Sequence, residues 1–205
     1  MSDWRRTTAD DWHTRLTAAG LGAELVGGLA RFLALLAAWQ GATNLVGRVD
    51  AGGLLRDHVL ESLAGARFLP ERGRLVDVGS GNGFPAIPLL LARRAVTGVL
   101  LEPRERRWAF LKEAVRELGL TAEVRREHVD EHRAGPYDAL TVRALAPKTW
   151  GAAAGRLVTP GGAVVFWAGA GGAGQVALAG FNAVLTSSLP DSRRGELAVW
   201  RRCST

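Results

Sequence analysis

An apolar run that ends in an acid and opens onto three glycines at alternate positions holds the residues best suited to chemistry: Leu75-Val76-Asp77-Val78-Gly79-Ser80-Gly81-Asn82-Gly83. The glycines permit a tight turn and let bare backbone approach a ligand. Phe84 and Pro85 follow, so the spacing is G-x-G-x-G and not the G-x-G-x-x-G of dinucleotide-binding oxidoreductases. Asp77, just ahead of the first glycine, would repel a pyrophosphate and attract a cation. The sulfonium and ammonium groups of S-adenosylmethionine (SAM) match that requirement. A second acid, Glu102, closes the apolar stretch 96–101, about twenty residues further on. At the carboxyl end of a strand in a doubly wound sheet, such a carboxylate can accept both hydroxyls of an adenosine ribose. It also suits the amino-terminal region of a helix starting at Pro103, and one residue can do both.

These groups need a frame. From Arg74 onward the pattern alternates, with strands expected at 74–78, 96–101, 122–126, 138–143 and 162–167, and helices near 86–93, 104–118 and 147–156. Two last strands, 181–188 and 196–202, join as a hairpin through Pro190-Asp191. Five β-α units closed by a hairpin make an α/β fold whose parallel sheet carries one antiparallel strand, the Rossmann-like seven-stranded pattern of class I SAM-dependent methyltransferases. Ahead of it the chain reads as helical. Asp10 or Asp11 caps a short helix through Ala19, stopped by Gly20. Glu24 to Trp39 carries an apolar stripe at Leu25, Leu29, Phe32, Leu33 and Leu36, ended by Gly41, and 54–68 forms another amphipathic helix. The expected organisation is an N-terminal helical extension, 1–70, packed on a SAM-binding core, 71–205, in one structural domain. Trp4, Trp12 and Trp39 read as packing anchors, and Gly169 to Gly174 as a flexible loop after the fifth strand.

Composition sets outer bounds. The 205 residues are 47% hydrophobic and 22% charged, the balance of a soluble globular protein with a large core. A single cysteine, Cys203, excludes an intramolecular disulfide or a cysteine metal cluster, and His13, His128 and His132 lack metal-ligand spacing. The first residues have no apolar run of the secretory kind. The greasy segment 23–39 contains Glu24 and Arg31 and is short for a span, so the expectation is a cytoplasmic protein without a membrane partner. The net charge of +6 favours a polyanion such as RNA, although an arginine bias with only Lys112 and Lys148 as lysines is also what a GC-rich genome produces.

The motifs together resemble the RsmG (GidB) family of bacterial methyltransferases, which act on N7 of a guanine in 16S ribosomal RNA. Asn44-Leu45-Val46, His58-Val59-Leu60-Glu61-Ser62-Leu63, the glycine loop Asp77 to Pro88, Arg106-Arg107-Trp108-Ala109-Phe110-Leu111 and Tyr137-Asp138 to Arg143-Ala144-Leu145-Ala146-Pro147 carry the likeness over nearly the whole chain. The resemblance implies SAM contacts at Gly79, Phe84, Val129, Asp130 and Arg143, beside Asp77, Gly81 and Gly83 from the loop reading and Glu102 at the end of the stretch 96–101. Val129-Asp130 would hold the adenine, and Arg143 would bind and position. It also implies 16S rRNA or the small ribosomal subunit as partner, a monomer, and no metal. The chain departs from the family at Asp57 and His128, where arginine is usual, at Glu61 for aspartate, and near Ala168 for a lysine. Guanine N7 is unprotonated at neutral pH, so its attack on a methyl group needs positioning and no base. No catalytic acid or base is therefore expected, and His58 is either an RNA contact or a packed helix residue. A divergent paralogue acting on another RNA or a small molecule, and a catalytically weak RNA-binding module, are the alternatives.

Overall fold

The computed structural model describes residues 3–173, 176–189 and 195–204. Its strands are β1 (Gly73–Val78), β2 (Val96–Leu101), β3 (Ala122–Arg125), β4 (Tyr137–Arg143), β5 (Val158–Ala168), β6 (Phe181–Ser188) and β7 (Glu196–Arg202). They form one sheet in the order β3-β2-β1-β4-β5-β7-β6. β1 to β5 pair in parallel, while β7 runs antiparallel between β5 and β6. The α/β class, the seven strands and the one reversed strand agree with the sequence reading. The expected turn Pro190-Asp191 and Gly174 lie outside the described residues. Because the chain returns to place β4 beside β1, the carboxyl ends of these two strands border a crevice at a topological switch point.

Period-two alternation divides each inner strand between two cores. Leu75 of β1 faces a cluster shared with the N-terminal helices α1 (Ala9–Ala18) and α2 (Ala23–Thr43), and with α5 (Ala86–Ala92) and α6 (Glu105–Glu117). Val76 and Val78 face the opposite cluster, where α7 (Pro147–Leu157) contributes Trp150 and Leu157. Phe32 of α2 is fully buried, 5.1 Å from the Phe84 ring and 6.4 Å from Phe110. One side chain thus ties the helical extension to the glycine loop and to α6. Trp4 and Trp12 are buried anchors, whereas Trp39 is half-buried and packs edge-on against Phe110 at 5.9 Å.

Several helix limits differ from the sequence expectation for local reasons. The cap of α1 is Thr8, not Asp10 or Asp11: its hydroxyl accepts from the Asp11 amide while the Asp11 carboxylate accepts from the Thr8 amide. α2 runs through Gly41 and stops at Asn44, which adopts φ 47. Gln40 secures that exit, its amide bonding both the Val46 carbonyl (2.7 Å) and the Val46 N–H (2.8 Å). The next helix starts earlier than Leu54. Asp50 caps α3 (Ala51–Leu54), and a π-helical run, Leu55–Leu60, leads into α4 (Glu61–Ala64). Such widened turns recur at functional sites. The loop after β5, expected to be flexible, is held at Gly171 and Ala173 by the Glu196 carboxylate, which accepts both amides at 2.7 and 3.0 Å.

Candidate functional site

A cavity of about 490 Å³ opens at the carboxyl ends of β1, β2 and β3. Val78, Gly79, Leu101 to Arg104, Arg107, Glu127 to Asp130, Leu145 and Thr149 line it. Its size is that of a cofactor pocket. The turn after β1 is fixed by the Gly79 and Ser80 amides, which donate to the Leu101 carbonyl at 2.9 and 3.0 Å. Gly79 sits at φ 70 and Gly81 at φ 54, a region that side-chain-bearing residues rarely adopt. At Gly79 a Cβ would also come within 2.6 Å of a Leu145 methyl, which would have to move aside.

Glu102 is buried, and its two oxygens are held by backbone. One accepts from the Gly81 amide at 2.9 Å and the other from the Arg104 amide at 2.8 Å. The carboxylate therefore braces the glycine loop and the start of α6 while lining the cavity. Each carboxylate oxygen keeps a lone pair for a ligand hydroxyl.

Asp77 is held differently. Oδ1 accepts from the Thr141 hydroxyl at 2.6 Å, but Oδ2 is buried with no partner. Burial pushes its pKa up to about 6, opposed by the Thr141 hydrogen bond and by the nearby Ser80 hydroxyl, which donates to the Asp77 main-chain carbonyl, with the Glu102 charge adding to the rise. A buried anionic oxygen without a donor suits a cationic ligand group. Asp77 lies behind the cavity wall and can act on such a group only through its charge; by the free lone pairs of Glu102 in the lining, the residues present fit SAM.

The third wall is the segment after β3. Val129 and Asp130 line the cavity, as the resemblance implied. The segment is pinned from behind by His132, which is fully buried, with ring nitrogens 2.5 Å from Glu127 Oε1 and 2.6 Å from the Tyr137 hydroxyl. Arg156 of α7 adds bonds to the carbonyls of His132 (2.6 Å) and Val129 (3.2 Å). Sequence reasoning gave His132 no role, since its partners lie five residues away on either side.

Arg143, Phe84, Gly83 and Asp77 do not line this cavity, and Gly81 reaches it through Glu102. Phe84 is buried between Phe32 and His58, whose ring lies 5.2 Å away. Gly83 packs against Ile87 and Phe32. The Arg143 guanidinium donates through one nitrogen to the Asp57 carbonyl and to Glu61 Oε2, both at 2.6 Å, while its other terminal nitrogen is buried without a partner. Glu61 is fixed in turn, its carbonyl accepting from the Trp167 indole at 2.7 Å. Burial and the neighbouring Arg143 charge hold the His58 pKa down to about 4, so its ring is neutral at pH 7. The cavity residues that went unforeseen include Arg104 and Arg107 at the start of α6, and Leu145 and Thr149 beyond β4. A basic run just after the second strand was the available signal for the arginines.

Residues 27–187 match the GidB family, described as rRNA small subunit methyltransferase G. Proteins named ribosomal RNA small subunit methyltransferase G include one from Stenotrophomonas maltophilia (strain K279a), 42% identical over 134 residues, covering 63% of this chain and 62% of that protein. Another, from Xanthomonas campestris pv. campestris (strain B100), is 37% identical over 155 residues, covering 73% of this chain and 72% of its own length. Among solved structures, a SAM-dependent methyltransferase from Aquifex aeolicus superposes with a TM-score of 0.59 at 14% identity, over 73% of this chain and 93% of that one, which supports the fold. The sheet order, the glycine loop and these matches agree: the chain belongs to the GidB family.

Proposed function

We propose that the protein is a SAM-dependent methyltransferase acting on N7 of a guanine in 16S ribosomal RNA. One observation carries the cofactor assignment: Gly79, Glu102, Val129 and Asp130 converge on a single cavity at the switch-point edge of the sheet. The relatives' shared name supports the substrate. SAM, when bound, supplies an electrophilic methyl group on a sulfonium. Glu102 would take the ribose hydroxyls and Val129 and Asp130 the adenine, while the buried Asp77 carboxylate, behind the cavity wall, would favour the cationic methionine end through its charge. The N7 lone pair forms the new N–C bond as the C–S pair returns to sulfur, leaving a cationic methylguanine and S-adenosylhomocysteine. No proton moves. His58, neutral at pH 7, and Arg143, clamped by Glu61, serve as binding or positioning groups and not as a base. Gly81 and Gly83 would act through loop shape, and Phe84 through packing. The reading includes no metal, a monomer, a cytoplasmic location, and the 1–70 extension as part of one domain. α2 has the length and apolarity of a membrane span, yet Val26, Leu29, Phe32, Leu33 and Leu36 are spent on the core.

Isothermal calorimetry tests the cofactor assignment. Gly81→Val forces a branched side chain into φ 54 and is expected to abolish SAM binding, while unchanged affinity would refute it. The single-turnover rate at saturating SAM should be flat from about pH 7 to 8.5, because neither nucleophile nor positioning group titrates there. A sigmoidal step near pH 7, removed by a histidine substitution, would overturn the base-free mechanism.

A further inference from the structure

A second concavity adjoins the cofactor cavity, lying between the carboxyl end of α2 and the first turns of α6. Trp39, Ala42, Thr43, Asn44, Arg104 to Arg107 and Ala109 line it. Arg104 and Arg107 belong to both hollows, so the two share a wall. The groove is strongly cationic. Among the described residues Arg104, Arg106 and Arg107 make no ion pair, and the one carboxylate in the lining, Glu105, is engaged by Arg126 at 3.2 Å. Arg104 and Arg106 are exposed, and Arg106 donates to the Ala42 carbonyl at 3.4 Å. Among these charges lies the half-buried indole of Trp39, backed by Phe110.

We infer that this groove is where the RNA strand next to the modified guanine docks, its phosphates on Arg104 and Arg106 and a base or ribose against Trp39. Guanidinium groups free of carboxylates are available to phosphate oxygens, and an aromatic face among them is the arrangement that single-stranded RNA uses. An acidic protein surface would satisfy the charges but not the indole. The inference rests on the rRNA reading above and gives it a surface.

Filter binding of unmodified 16S rRNA transcript across about 50–200 mM salt tests it. Arg106→Gln, which leaves the cofactor cavity untouched, should lower the slope of log affinity against log salt by about one and weaken binding severalfold. Its SAM affinity by calorimetry and its melting temperature should match the parent protein. Trp39→Ala should weaken RNA binding about tenfold or more, while Trp39→Phe retains most of it. Arg67→Gln, at an exposed arginine lining a separate hollow with Leu185 and Leu197, serves as the charge control and should leave the slope unchanged. Parent-like slope and affinity in Arg106→Gln, or an equal loss in Arg67→Gln, would overturn the groove as the docking surface. Failure of the parent protein itself to bind or methylate the RNA, both as transcript and within the small subunit, would instead overturn the rRNA reading.

Discussion

The cofactor rim and the junction between α4 and β4 both bury charge at the carboxyl edge of the sheet, but they do so by opposite means. At the rim, Glu102 is satisfied by the amides of Gly81 and Arg104, partners supplied by the loop and helix that flank it. At the junction, Arg143 is held by Glu61 and the Asp57 carbonyl, across 82 and 86 residues of chain. The rim is built from backbone and leaves lone pairs for a ligand. The junction is built from opposed charges and closes the helical extension onto the core. Asp77 stands between the two styles, with one oxygen satisfied and one bare. Substitutions should separate these behaviours: losses at the junction should appear as stability, and losses at the rim as ligand affinity.

The largest effect is expected at the junction. Glu61→Ala leaves the Arg143 guanidinium buried without a counter-charge and should destabilise the fold by about 3–5 kcal/mol in chemical denaturation. Glu61→Asp, the residue usual in the family, should recover part of this. A loss below about 1 kcal/mol would show that the pair is not holding the two parts together.

Asp77 should divide stability from binding. Its folded-state pKa is raised, so ionisation penalises the fold fully above about pH 6 and not at all below the unfolded value near 3.8. A rise of that size corresponds to a penalty on the order of 3 kcal/mol. Asp77→Asn should therefore stabilise the ligand-free protein at pH 8 by an amount approaching this, with the gain vanishing near pH 4, while SAM binding weakens. The same linkage predicts that parent-protein SAM affinity weakens as pH falls through about 6, where Asp77 takes up a proton, and is constant above about 7. Unfolding curves and calorimetry across this range check both signs. Destabilisation of Asp77→Asn at pH 8 would contradict the account.

At the rim, Glu102→Ala should weaken SAM binding by about 1–3 kcal/mol, since hydrogen bonds to a charged acceptor are removed. Calorimetry showing no change would remove Glu102 from the ligand. The smallest effect lies beside Arg143. Ala144 holds φ 55, a strained setting for a residue with a Cβ, so Ala144→Gly should raise stability by roughly 0.5–1 kcal/mol in thermal unfolding. A lowered melting temperature would show that the side chain contributes more than the strain removes.

The same contrast explains what could be read from the chain alone. The strands, the glycine loop and Glu102 were legible because each depends on local periodicity and on residues within one β-α-β unit. The limits of α2 were legible only in part. Gly41 reads as a stop, but a glycine in a helix costs only about 1 kcal/mol, and Gln40 reaching Val46 outweighs it. The Arg143–Glu61 pair was illegible: Glu61 registered only as a departure from the family, and nothing at that position names a partner 82 residues away. The buried His132 bridge was hidden for another reason. Its two partners lie close in sequence, but only the folded loop turns Glu127 and Tyr137 toward the same ring.

Nucleoside mass spectrometry of unmodified 16S rRNA, within small subunits and as free transcript, incubated with this protein and isotopically methyl-labelled SAM, tests the central claim most directly. One labelled species is expected, N7-methylguanosine, formed in proportion to enzyme and absent with Gly81→Val. Label on any other nucleoside, or no label in either form of the RNA while the parent protein binds SAM, would contradict it.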